Sequence, residues 1–178
     1  MAYSFVEPVA GLLQIAETDA GVTMANGSSA IPTPPATLGT IVRAFDPTYG
    51  EGEFILLLGV ASTVIGSLVS YNATTYQTVL VPNTANQDCP VAVAMSANTA
   101  ALFGWYQIAG NAVIKKTAVA VTPQVTVFLS ATAGRVKVLA SAGLQVVAAR
   151  SANLTTIASG TSTVTVTINR PHLQSQIT

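Results

Sequence analysis

Apolar and polar residues alternate with a period of two along many short segments of the chain, which is the pattern of β-strands with one face in a core. The alternation is cleanest over residues 163–168, where two valines and an isoleucine alternate with three threonines. Further segments with strand character are residues 38–45, 53–60, 63–71, 75–81, 90–95 and 143–150. The only helical signal is one short turn over residues 96–102. Because turn signals separate these segments at spacings near ten residues, the sequence predicts an all-β protein with little or no helix, an antiparallel sandwich or barrel of short strands.

The stretch from Phe103 to Val138 holds the only tryptophan and predicts two or three consecutive strands. Residues 125–130 and 135–138 both alternate, and the turn between them contains Gly134, which can adopt a positive φ without steric cost. These features predict a β-hairpin whose outer face carries positive charge.

The first 36 residues differ in character from the rest of the chain. Residues 21–35 are rich in Gly, Ser, Asn, Thr and Pro, and prolines at this density hold the backbone extended. An extended segment cannot bury enough surface on its own to offset its ordering entropy, so we expect it to be disordered or to lie along another subunit, and we favour the second. The predicted organisation is an arm over residues 1–36, one β-domain over 37–171 and a tail over 172–178.

Few residues are charged. Half of the 178 residues are apolar and 8% are charged, against about a quarter in an average soluble domain. So few charges favour an assembly that hides much of the surface; the alternative is a soluble domain coated with Ser, Thr, Asn and Gln.

Acidic and basic residues are unevenly distributed along the chain. All seven acidic residues and Arg43 lie in residues 1–100, whereas residues 101–178 hold the six other basic residues and no acid. The two halves could interleave and cancel within one monomer, or an acidic segment of one copy could meet a basic face of the next. Nucleic-acid binding fits poorly, because the net charge is zero.

Residues that could carry chemistry are scarce. Cys89 and His172 are the only cysteine and histidine, too few for a zinc site, and His172 is too near the C-terminus to favour a catalytic triad. Glu51 and Glu53 are spaced to point to one side of a strand, but no positioned base accompanies them. We therefore expect no enzyme activity, no metal, no cofactor and no small-molecule substrate.

Four aromatic residues offer an alternative role as a sugar-binding platform, although aromatic residues within strands usually belong to a core. They are Tyr71, Tyr76, Trp105 and Tyr106.

No membrane segment is expected. The uncharged run from Phe54 to Val69 is short for a span of about 20 residues and is interrupted by Gly and Ser, so it predicts a buried strand pair. The N-terminus has neither the basic nor the apolar region of a signal peptide.

Four segments resemble parts of small proteins that tailed bacteriophages encode among their head genes, and we place the chain with the capsid decoration, or cement, proteins. The segments are residues 38–55, 59–64, 103–112 and 164–171, so the resemblance spans roughly residues 36–171. It implies a β-rich virion protein, made in the host cytoplasm, that binds the outer surface of the expanded capsid and cross-links neighbouring major capsid subunits. By analogy it also implies a homotrimer.

On this interpretation the arm, the first strand with its turn, and the basic segments contact neighbouring subunits. The expected interface residues are Leu12, Leu13, Ile15, Arg43, Asp46, Tyr49, Glu51, Lys115, Lys116, Arg135 and Lys137. The alternative function is a tail-associated module that binds a receptor or glycan, and a third, less favoured, is a carbohydrate-active enzyme that uses Glu51 and Glu53.

Overall fold

The structure, a computed structural model, describes residues 2–6, 12–21 and 33–176. Within these ranges there are twelve strands and no helix, so the predicted all-β class is confirmed. The strands are β1 (Ser4–Phe5), β2 (Thr18–Asp19), β3 (Ile41–Asp46), β4 (Gly50–Leu58), β5 (Leu68–Tyr71), β6 (Thr78–Leu80), β7 (Val91–Ala94), β8 (Phe103–Lys115), β9 (Thr126–Leu129), β10 (Val136–Lys137), β11 (Gln145–Ser151) and β12 (Thr163–Leu173).

All twelve strands belong to one antiparallel sheet. Its main path runs β1-β3-β4-β8-β12-β11-β9-β10. Off this path, β2 and β7 pair with β8, β5 pairs with β7, and β6 pairs with β5. The two ends of this path do not pair with each other, so the sheet is not closed into a barrel. The predicted hairpin is present as β9 and β10, in which Val136 lies opposite Leu129.

The long strand β8 is the centre of the sheet. Its first half pairs with β4, β7 and β2, and its second half pairs with β12. Because successive side chains of a strand point to opposite faces, β8 contributes to cores on both sides. Trp105 packs with Phe54 on one face, and Tyr106 packs with Ile55 on the other. A third core surrounds Ile114 in the second half of the strand.

The described part of the predicted arm packs on the chain's own sheet. β1 pairs with β3, β2 pairs with β8, and the side chains of Tyr3 and Ile15 are buried in the same core as Trp105. The boundary predicted at residue 36 therefore does not separate these residues from the β-domain. Residues 7–11 and 22–32, which include most of the Gly- and Pro-rich segment, lie outside the described residues.

The predicted C-terminal tail is also partly a strand. β12 continues through His172, which lies opposite Val147, to Leu173, which is buried. Ala148 and Arg170 have φ values of 59° and 46°, and the β11–β12 register shifts beside Ala148. This bulge accommodates a proline that would otherwise interrupt the ladder.

Two local expectations were wrong. Residues 96–102 form turns and bends instead of a helical turn. The apolar run from Phe54 to Val69 supplies β4 and the start of β5, but these strands do not pair, because β5 pairs with β6 and β7. No helix in the described residues is long and apolar enough to cross a membrane.

Candidate functional site

The hairpin of β3 and β4 presents a row of charged and apolar side chains to solvent. Asp46 lies opposite Gly50 at the turn, and this register places Arg43 opposite Glu53 and Phe45 opposite Glu51. Directly opposed residues of an antiparallel pair point to the same face. The four side chains therefore share one surface.

Two ion pairs occupy this surface. Arg43 Nε lies 3.3 Å from Glu51 Oε1, and these two side chains are 55% and 51% exposed. Arg170, on β12, places Nη2 3.0 Å from Glu53 Oε2. The prediction that both glutamates point to one side of a strand is confirmed, and each has an arginine partner that was not predicted. Exposed pairs of this kind contribute little to stability, about 0–1 kcal/mol.

Apolar side chains border the ion pairs. Val6, Ile41 and Phe45 are each between 44% and 50% exposed. Ile41 and Phe45 share the outer face of β3 with Arg43, and the Val6 backbone N–H donates to the Arg43 carbonyl at 3.0 Å. We refer to the set Val6, Ile41, Arg43, Phe45, Glu51, Glu53 and Arg170 as the β3–β4 patch.

The depression within the patch is small. It measures about 250 Å³ and lies among residues that include Arg43, Glu53, Ala109 and Arg170. Small-molecule sites usually enclose about 300–1,000 Å³ and have mainly apolar walls. The patch is therefore better suited to a broad protein surface than to a small ligand.

Asp46 fixes the turn beside the patch. It is almost fully buried; its carboxylate accepts hydrogen bonds from the backbone N–H groups of Ala2 at 2.6 Å, Thr48 at 2.8 Å and Tyr49 at 3.1 Å. Burial alone would raise the pKa of Asp46, but these donors outweigh it, and the pKa lies below its ordinary value. Asp46, predicted as an interface residue, thus acts within the fold.

Lys116, predicted as an interface residue, is buried. Its side chain is 1% exposed, and Nζ contacts four backbone carbonyl oxygens. Those of Val119, Ala158, Ser159 and Thr117 lie at 2.8, 3.1, 3.2 and 3.3 Å. Carbonyl oxygens only accept hydrogen bonds, so the Lys116 nitrogen is the donor, and the four oxygens share the three N–H bonds that its ammonium group can offer. Burial lowers the pKa of Lys116. We call this arrangement the carbonyl cage.

The three predicted interface residues of the arm also face the chain itself. Ile15 is buried, and Leu12 packs against the same core. The Leu13 carbonyl accepts a hydrogen bond of 2.6 Å from Trp105 Nε1. Tyr49, half-buried, packs against this core as well.

The remaining predicted interface residues lie apart from the patch. Lys115 ends β8, Lys137 lies on β10 at the other end of the sheet path, and Arg135 directly precedes β10. All three are half-buried, and Lys137 Nζ donates to Ser141 Oγ at 2.9 Å. Of the predicted set, Arg43 and Glu51 meet on the exposed patch, with Asp46 and Tyr49 beside them at the turn, whereas Leu12, Ile15 and Tyr49 share a core instead of an interface.

The other groups considered for chemistry are dispersed. His172 is exposed on β12, and Cys89 is half-buried, where burial raises the pKa of its thiol. Trp105 and Tyr106 are fully buried, so they cannot form a surface platform for a sugar. Among the described residues, no three Cys, His, Asp or Glu side chains lie close enough to hold a metal ion.

A scan of the chain against known protein-family models gives no match, and a search of curated proteins gives none either. The patch is therefore interpreted from its own residues. Five of its seven members were not among the predicted interface residues. Glu53, Phe45 and Ile41 could have been found from the turn at Asp46, since its register aligns the two strands. Arg170 could not, because its position depends on the pairing of β8 with β12.

Proposed function

We propose that this chain is a structural virion protein that binds the outer surface of a tailed-phage capsid and stabilises it by cross-linking neighbouring major capsid subunits. The proposal starts from the resemblance of residues 36–171 to decoration proteins. Its structural support comes from where the chain exposes apolar surface.

The observation that carries the proposal is that large apolar side chains are exposed at widely separated places on one sheet. Phe45 lies on β3, near one end of the sheet path, and Leu139 follows β10, at the other end. Leu154, between β11 and β12, is almost completely exposed. Contiguous apolar surface, such as Val6, Ile41 and Phe45 form in the patch, marks a contact site, and further exposed apolar residues on other sides suit a protein held between several neighbours.

The low charge of the chain supports the same role. Only 8% of residues are charged, so few ions lose their hydration when the chain is covered by neighbours. A specific interface buries about 800 Å² per partner, and repeated contacts around a closed shell add avidity. Because Leu12 and Ile15 pack in the chain's own core and the Leu13 carbonyl accepts from Trp105, the shell contacts of this proposal come from exposed strands and loops.

The test is the copy number of this protein relative to the major capsid protein in gradient-purified particles, measured by quantitative mass spectrometry. DNA-filled heads without tails serve as the matched control for complete particles. We expect a ratio near one that is the same in both preparations. A ratio far below one, or loss of the protein together with the tails, would contradict the proposal and favour a tail-associated role.

A further inference from the structure

We infer that the β3–β4 patch is a docking surface for a second copy of this chain, which meets it about a two-fold axis so that arginine and glutamate side chains pair between copies. This inference does not depend on binding to a shell. It rests on the charges, the exposure and the apolar border of the patch.

The patch carries two positive and two negative groups at close range, Arg43 beside Glu51 and Arg170 beside Glu53. A partner surface of a single charge sign would be repelled by half of these groups. A second copy of the patch supplies both signs. In a two-fold interface, if a residue contacts a given residue of the partner, the reverse contact also forms. Arg43 of each copy can therefore pair with Glu51 of the other.

Exposure allows this exchange of partners. Arg43 and Glu51 are about half exposed, so their pairing within one copy contributes little stability and is easily given up. Docking would remove both from water, which is costly for an unpaired charge. The crossed arrangement leaves no charge without a partner.

The apolar border provides the favourable term for association. Phe45 lies opposite Glu51, Ile41 lies two residues before Arg43 on β3, and Val6 hydrogen-bonds to the Arg43 backbone, so apolar surface adjoins the exchangeable pair. Removing such surface from water on docking is favourable and does not depend on charge. Charges fix the register of the two copies, and apolar contact supplies the affinity.

The structure also argues against the head-to-tail contact between acidic and basic halves. Lys116 is enclosed by carbonyl groups of its own chain, and Arg170 of the basic half already pairs with Glu53 of the acidic half. The two halves therefore partly neutralise each other within one copy. The charged groups exposed at the patch have both signs, so an identical copy of the patch is a suitable partner.

The experiment measures the mass of the purified full chain over a concentration series by analytical ultracentrifugation. The variants are R43E, E51R and the double variant R43E/E51R, with R150E as a matched control, because Arg150 is exposed on β11, four strands from β3 along the sheet path. Circular dichroism and a thermal melt verify folding. We expect a dimer for the wild-type chain and for R150E, and a dissociation constant raised about tenfold or more in R43E and in E51R.

Mixing the two single variants is the decisive step. At these two positions the R43E chain carries only acidic groups and the E51R chain only basic ones. An equimolar mixture should therefore form a heterodimer with about the dissociation constant of the wild-type dimer. The double variant should dimerise by itself, and F45S should weaken association without changing its charge pattern. A wild-type chain that stays monomeric at every concentration, a mass of three copies, or a mixture no tighter than its components would overturn the inference. If capsid shells bind the wild-type chain only as a monomer and through the patch, the inference is also wrong, and the partner of the patch is a capsid subunit.

Discussion

The carbonyl cage and the β3–β4 patch hold basic side chains in opposite ways. Lys116 is 1% exposed and contacts four carbonyl oxygens and, within the described part of the chain, no carboxylate, whereas Arg43 is 55% exposed and has a glutamate 3.3 Å away. A buried ammonium group loses its hydration, and the carbonyl dipoles must replace it. An exposed guanidinium group keeps most of its hydration. Formal countercharge is thus a poor guide to which residue matters for stability.

The cage joins two loops that are distant in sequence. Thr117 and Val119 follow β8, and Ala158 and Ser159 precede β12. The same loops meet at residues 121 and 157, whose backbones exchange two hydrogen bonds of 2.9 Å. Lys116 therefore links these two loops, whereas Arg43 remains available to a docking partner at the β3–β4 patch.

Replacing Lys116 by Met gives the strongest test of this difference. The carbonyl oxygens of Val119 and Ser159 would lose the Lys116 donor, whereas those of Thr117 and Ala158 also accept from a backbone N–H, so we expect the free energy of unfolding to fall by about 2–4 kcal/mol in chemical denaturation. Lys115→Met is the matched control, since that neighbouring side chain is half-buried and has no cage; it should change stability by less than about 0.5 kcal/mol. Equal effects of the two substitutions would refute the distinction between cage and surface.

Asp46 is the intermediate case, a buried charge at the edge of the patch. Asp46→Asn cannot accept all three backbone donors, so we expect a loss of about 1 kcal/mol at neutral pH. Because the pKa of Asp46 is below its ordinary value of 3.8, its contribution is present above pH 3.8 and is lost as the pH falls through the folded value. The stability difference between wild type and D46N, measured by denaturation from pH 6 downward, should therefore shrink in acid. A difference that stays constant with pH would show that the charge of the Asp46 carboxylate does not contribute to stability.

Much of the local structure could be predicted from the sequence. The alternation of residues 163–168 is part of β12, and the turn between Asp46 and Gly50 does connect two antiparallel strands. Strand pattern and turn chemistry are local properties, so a single sequence carries them. Pairing partners are not local: nothing near Arg170 indicates that it reaches Glu53, 117 residues away.

The burial of Lys116 could have been predicted but was not. Ala112 and Ile114 are buried, and residues two apart on a strand share a face, so Lys116 continues the inward row beyond the end of β8. Lys115 and Lys116 were both predicted as interface residues, although neighbours on a strand point in opposite directions. The four carbonyl groups that make burial tolerable come from loops, whose positions the pattern does not give.

The smallest expected effect is on the patch itself. In a double-mutant cycle of Arg43→Gln and Glu51→Gln, measured by denaturation of the monomer at low concentration, we expect a coupling energy below about 0.5 kcal/mol, because both side chains are half exposed. The cycle of Arg170→Gln and Glu53→Gln is its internal comparison: the Glu53 side chain is only 30% exposed, so its coupling should be the larger of the two. A coupling above about 1.5 kcal/mol for Arg43 and Glu51 would mean that the pair contributes to the stability of the monomer, as Lys116 is expected to do. A small coupling leaves these two charges available to a partner at little cost to the monomer, which is the condition that docking of a second copy requires.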